Sequence, residues 1–116
     1  MPHQRGDIVE INFGLPPKGK MLNHLAVVIS SNDVYLDDDC YIVVMLTSQR
    51  YSDRYSFEIT NEMLALPSNK LYSEARCHLV TFILPSHINN LSGYRNKVKR
   101  QYVDALVEHI VNSSFY

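Results

Sequence analysis

The sequence predicts a mainly β fold closed by one C-terminal helix, and three observations predict it. Up to Leu84 the chain breaks into short alternating or β-branched apolar segments separated by turn-forming residues. From Tyr94 onward the apolar spacing changes from period two to the helical period. The chain has 116 residues, enough for one core and too few for two ordinary ones, so the whole chain, 1–116, is expected to form a single domain.

The elements follow in order. Residues 7–13 (DIVEINF) alternate, with Val9, Ile11 and Phe13 forming an apolar face, as in a half-buried strand. Gly6 marks the turn into it. Residues 14–22 hold Pro16, Pro17 and Gly19 and are expected to loop, with Lys18 and Lys20 giving that loop a positive tip. Residues 24–31 (HLAVVISS) and 40–46 (CYIVVML) are continuous apolar runs, the signature of strands covered on both faces. Between them lies a polar stretch, 32–39, with aspartates at 37, 38 and 39.

Residues 47–53 are polar and basic and read as a loop or strand end; 55–60 alternate again. Residues 61–66 suit a short helical turn stopped by Pro67, and 71–84 are strand-like up to Pro85. In the final segment Lys99, Val103, Leu106, Val107 and Ile110 share one stripe, with Asp104, Glu108 and Asn112 opposite. Several strands followed by a helix suit a small barrel or curled sheet, and five or more short strands in this length suit an SH3-like barrel.

Composition narrows the function. Hydrophobic residues at 46% and charged residues at 20% exclude a disordered chain. The net charge of −1 gives no global signature for nucleic acid, so any RNA site must be a local basic patch. No apolar run is long enough to span a bilayer and residues 1–7 are polar, so no membrane association and a cytoplasmic location are expected. Cys40 and Cys77 lack metal-ligand or redox spacing and suit two reduced thiols, with one long-range disulfide as the alternative. The aspartates at 37–39 lack the spacing and glycine of a calcium loop. No phosphate-binding glycine loop and no Gly-x-Ser-x-Gly step occur, so no metal and no cofactor are expected.

An ordered set of segments carries a resemblance. Arg5-Gly6-Asp7-Ile8-Val9 opens the first strand. The second strand is His24 to Ser30, and the third ends in Thr47-Ser48-Gln49. A long strand carries Arg76-Cys77-His78, and a helix closes the chain. In this order and spacing the chain resembles the MazF/PemK-like toxins, the endoribonuclease half of bacterial toxin–antitoxin pairs. The resemblance implies an SH3-like barrel with added helices, usually a homodimer. It implies metal-free cleavage of single-stranded RNA, in which the ribose 2′-hydroxyl attacks the adjacent phosphate and leaves a cyclic phosphate and a 5′-hydroxyl. The implied partner is a small antitoxin whose tail occupies the RNA groove. Thr47 and Arg76 match the family pattern. His24-Leu25 stands where the family has Arg-Pro, and His78 stands where a subset has Asp.

Metal-free cleavage needs a base for the 2′-hydroxyl, an acid for the leaving oxygen and a cation for the phosphate. Histidine suits either proton role near neutral pH, and arginine offers paired donors to a phosphate. The expected catalytic set is therefore His24 and His78 as the proton-transfer pair, Arg76 as phosphate clamp, and Thr47, which together with Ser48 of the RNA-binding set would hydrogen-bond a non-bridging oxygen or orient the substrate. Two residues apart on one strand, Arg76 and His78 are expected on one face, with Cys77 turned into the core. The bland alternatives are solvated histidines, a strand threonine, and an arginine paired with Glu74 or Glu58. Gln49, Arg50, Tyr51 and Arg54 interleave cations with aromatics, a pattern that stacks bases and holds phosphates, or else forms a solvated hairpin loop. With Lys18 and Lys20 they are the expected RNA-binding patch. His3, His87 and His109 carry no such pattern. The competing reading is an inactive barrel of the same descent that binds RNA or an antitoxin-like peptide; a third is a peptide-binding module.

Overall fold

The structure, a computed structural model, describes residues 2–15, 20–67 and 72–116, and side chains outside 13–21. Six strands form one antiparallel sheet: β1 (Asp7–Leu15), β2 (Lys20–Val28), β3 (Tyr41–Thr47), β4 (Ser56–Glu58), β5 (Glu74–Ile83) and β6 (Asn96–Lys97). Their spatial order is β4-β5-β3-β2-β1-β6. The sheet curls so that its two ends approach. Leu64, just beyond β4, bridges to Val98, just beyond β6, and the amides of Ala65 and Lys99 donate to the carbonyls of Lys97 and Met63 at 2.8 Å each. The mainly β, half-barrel architecture with a C-terminal helix is the one the segment pattern predicts.

Both faces of the sheet are covered, which explains the continuous apolar runs of β2 and β3. On one face Ile8, Val27, Val44, Leu46, Ala75 and Cys77 pack against Val103, Leu106 and Ile110 of the terminal helix α2 (Arg100–Ser114). On the other, Val9, Ile11, Ala26, Val28, Tyr41, Val43 and Met45 form a second cluster, joined by Tyr35 from a short helix α1 (Asn32–Asp38). The expectation of a half-buried β1 is corrected here, because Ile8 and Glu10 are as buried as Val9 and Ile11.

Periodicity gives one further segment no element, and another differs from expectation. The polar stretch at 32–39 is helical through Asp38 and ends at Asp39, whose φ of 53° closes the turn with its amide on the Tyr35 carbonyl. The terminal helix starts at Arg100, not Tyr94, because 96–98 is held extended: Lys97 pairs with Asp7, and the Val98 amide donates to Gly6 at 2.8 Å. Lys99 is therefore the residue before the helix, exposed and off the buried stripe. Gly6 is required at that junction; its φ is +98°, and a Cβ there would sit 2.6 Å from the Val98 carbonyl oxygen. The turn expected near 61–66 is a single 3₁₀ turn at Asn61–Met63. Cys40 and Cys77 are both free thiols.

Candidate RNA-cleaving site

The β2–β3 ladder pairs Ala26 with Met45. Carrying that register two residues outward sets His24 beside Thr47, where the sheet gives way to the 48–55 loop. The side chains meet accordingly. Asn23, His24, Thr47, Ser48 and Tyr72 line one surface cavity of about 180 Å³. The His24 Nε2 is buried without a hydrogen-bond partner among the described residues. Such atoms are rare in folded proteins and suit a group whose partner arrives with a ligand. The Thr47 hydroxyl oxygen accepts the Gln49 amide at 3.1 Å, which fixes the side chain and leaves its proton to donate.

Behind His24 the strand is braced. The buried carboxylate of Glu10 accepts the Asn23 side-chain amide at 2.9 Å and the Ser92 amide and hydroxyl at 2.8 and 2.7 Å. Those bonds, the Ser92 hydroxyl first, hold the Glu10 carboxyl below its ordinary range against the opposing effect of burial. Asn89 donates in turn to Asn23 at 2.7 Å.

Arg76 sits in different surroundings. Its side chain is 6% exposed and grips Asp53 with two nitrogens, each at 2.9 Å. It also donates to Glu74 at 2.8 Å and to the Ser56 hydroxyl at 3.1 Å, and its guanidinium lies 4.2 Å from the centre of the Tyr51 ring. Glu74, fully buried, collects the Tyr72 hydroxyl at 2.7 Å, the Ser56 hydroxyl at 2.8 Å and the Tyr51 amide at 3.2 Å. Burial pushes the Glu74 carboxyl up, but these hydrogen bonds outweigh it and the net shift is down. The Asp53 carboxyl is held far below its usual range, chiefly by hydrogen bonds from Arg76. Tyr72 is pushed up to about 12 by burial and by its bond to Glu74.

One arginine between two carboxylates leaves the cluster with a formal charge of −1. A phosphate clamp needs free donors and positive potential, whereas the donors of Arg76 go to Asp53, Glu74 and Ser56. The cluster instead fastens the 51–56 loop to β5. Of the alternatives weighed from sequence, Glu74 is a partner and Glu58 is not; Asp53 takes that place.

His78 and His24 are not brought together in one cavity. β5 has extra residues between Ala75 and Val80, which face Leu46 and Val44 of β3, so simple alternation fails. Arg76 is buried, whereas His78 is exposed, with its ring 4.3 Å from that of Tyr55, and does not line the His24 cavity. Partial desolvation, then the nearby Arg76 charge, lower its pKa and favour the neutral imidazole. Cys77 does point into the core, its thiol pushed up to about 12 by burial.

The basic loop divides in the same way. Arg54 donates to the Ser113 carbonyl at 2.8 Å, at the end of α2 where a cation is favourable. The Arg50 guanidinium lies 3.8 Å from the centre of the ring of Tyr72, a residue that lines the His24 cavity; Arg50 itself does not line it. It is exposed, and among the described residues no carboxylate pairs with it. The Tyr51 hydroxyl donates to Gln49 at 3.3 Å. Lys18 lies outside the described residues, and of Lys20 only the backbone is described. Sequence reading had placed Arg50 in the loop patch but missed Tyr72, whose role depends on β5 pairing. Among the described residues no group of three or more His, Cys, Asp or Glu is placed to hold a metal ion, and no helix is long and apolar enough to cross a membrane.

Comparison with known proteins agrees with this architecture. A solved mycobacterial structure, described as an endoribonuclease in complex with its cognate antitoxin, superposes with a TM-score of 0.70 and 12% identity, covering 97% of this chain and 94% of that one. A MazE–MazF crystal structure from Deinococcus radiodurans superposes with a TM-score of 0.68 and 10% identity, covering 95% and 94%. At such identities the likeness is one of fold. No curated protein matches the sequence. The family described as PemK-like, MazF-like toxin of type II toxin–antitoxin systems matches residues 4–113, almost the full chain, and the chain belongs to that family.

Proposed function

We propose that this chain is a toxin endoribonuclease that cleaves single-stranded RNA without metal, by attack of a ribose 2′-hydroxyl on the adjacent phosphate. The observation that carries the reading is the cavity that unites His24 with Thr47 and Ser48. His24 takes the proton of the attacking hydroxyl. The hydroxyls of Thr47 and Ser48 donate to a non-bridging phosphate oxygen as charge grows on it, the contribution that positioned donors make to such transition states. Arg50, stacked on the cavity-lining Tyr72, reaches in to offset that charge in place of the neutralised Arg76. The leaving 5′-oxygen takes its proton from water or from the imidazolium just formed.

Under this reading the partner that restrains the protein is an antitoxin, as in the solved complexes, and the working unit is a homodimer. The test is incubation of the purified protein with mixed-sequence single-stranded RNA in a chelator. Cyclic-phosphate 3′ ends and 5′-hydroxyl ends are expected; intact RNA, or cleavage only with added metal, overturns the reading. A second reading has one observation in its favour: the family's arginine is replaced by His24. It makes the chain a non-cleaving member that binds RNA or an antitoxin peptide, and retained RNA binding with no cleavage would select it.

A further inference from the structure

A second cavity, of about 230 Å³, adjoins the first and shares Leu25, Leu46, Tyr72 and Ser73 with it. Its floor is apolar core, Ile8, Ile59 and Leu64, and its rim includes Glu58 and Thr60. An apolar floor, an aromatic wall and a few polar groups describe a slot for a flat heterocycle. Single-stranded RNA is read when a base leaves the stack, packs on an aromatic side chain and presents its Watson–Crick edge to the protein.

The charge of the rim separates base from phosphate. Glu58 sits directly across from Glu74 in the β4–β5 ladder. Like charges facing each other across strands are destabilising. Among the described residues no cation pairs with Glu58, and its field reaches Tyr72, where it adds to the upward shift of that hydroxyl. A negative rim repels a phosphate and attracts N–H donors. The Thr60 hydroxyl oxygen, buried without a partner among the described residues, adds a second unsatisfied polar atom at the same rim.

We propose that this cavity receives the nucleobase next to the scissile phosphate, and that Glu58 makes it selective for guanine. A carboxylate is acceptor-only, with two oxygens side by side. Guanine alone among the four bases presents two adjacent donors, N1–H and the N2 amine, on one edge; adenine and cytosine offer one amine beside an acceptor, and uracil one imide N–H. The proposal rests on the endonuclease reading for the identity of the substrate, but base binding is measurable without cleavage.

The experiment titrates the four nucleoside 3′-monophosphates into isotope-labelled protein, wild type and Glu58→Gln, and follows the backbone amides. Glu58 is exposed, and the change relieves the repulsion with Glu74, so the variant is expected to fold; its amide spectrum verifies this. Guanosine 3′-monophosphate is expected to bind about tenfold more tightly than the others, the discrimination a bidentate base contact provides. It should shift the amides of residues 59–61, and Glu58→Gln should remove the preference. Equal binding of all four, or a guanine preference that survives in Glu58→Gln, overturns the proposal. Selective guanine binding without RNA cleavage keeps this inference and sinks the endonuclease reading. Cleavage without preference for guanine beside the cut does the reverse.

Discussion

The two polar centres of this protein lie on either side of Tyr72 and are built on opposite plans. Around Arg76 every strong group is matched: Asp53 and Glu74 take the guanidinium, and Ser56, Tyr72 and the Tyr51 amide complete the carboxylates. Around His24 and its neighbour Tyr72 groups are left open among the described residues: an unpartnered imidazole nitrogen, a threonine proton without an acceptor and, over the Tyr72 ring, an arginine without a carboxylate. The difference teaches where to look for chemistry. A saturated charge cluster rigidifies a fold and offers a substrate nothing, whereas unsatisfied donors and acceptors in a cavity can gain partners when a ligand binds.

The sharpest way to break the comparison is Arg76→Leu. It strands the fully buried Glu74 carboxylate, and loss of one member of a buried pair costs about 3–5 kcal/mol. Urea unfolding should report a loss of that size, with activity lost through unfolding rather than at the chemical step. Next comes Arg50→Ala, which should slow cleavage about tenfold to a hundredfold, a share of the effect expected of a charge at the transition state, with the urea midpoint almost unmoved. If instead Arg50→Ala unfolds the protein and Arg76→Leu leaves it folded but inactive, the two centres have been assigned the wrong way round.

Acid provides a milder probe. Glu10, Asp53 and Glu74 all have folded pKa values below their ordinary ones. A depressed carboxyl contributes stability that is present above its unfolded pKa and is lost as pH falls through its folded value. Stability should therefore be level from neutral pH down to about pH 5 and decline below about pH 4. Asp53→Asn should be less stable at neutral pH and show a shallower acid decline, read from urea midpoints across that range. The smallest effect concerns the thiols. At pH 8 a thiol reagent should modify the half-buried Cys40, while Cys77, pushed up to about 12, reacts only on unfolding.

The fold was largely legible in the sequence because periodicity reports burial directly. The continuous apolar runs of β2 and β3 demanded cover on both faces, and two packed faces are what the chain has. Periodicity was silent where cover comes from the main chain. The 96–98 segment is extended only because β1 and Gly6 supply hydrogen bonds, and α1 buries no residue fully, so its polar sequence gave no helical stripe. At the site, the position of His24 beside Thr47 follows from strand register, which the family resemblance carried. The partner of Arg76 does not follow: Asp53 is 23 residues away in a loop, and Arg54 meets Ser113 across 59 residues. Charge is visible in a sequence, but neutralisation depends on which loop folds back.

The most direct test compares His24→Ala and His78→Ala, rates of RNA cleavage being measured in chelator at neutral pH, with each variant verified as folded. The account predicts that His24→Ala is at least about a hundredfold slower, the range for losing a general base, while His78→Ala stays within a fewfold of the unmodified protein. Equal losses in both would restore a histidine pair, and full activity in His24→Ala would contradict the site.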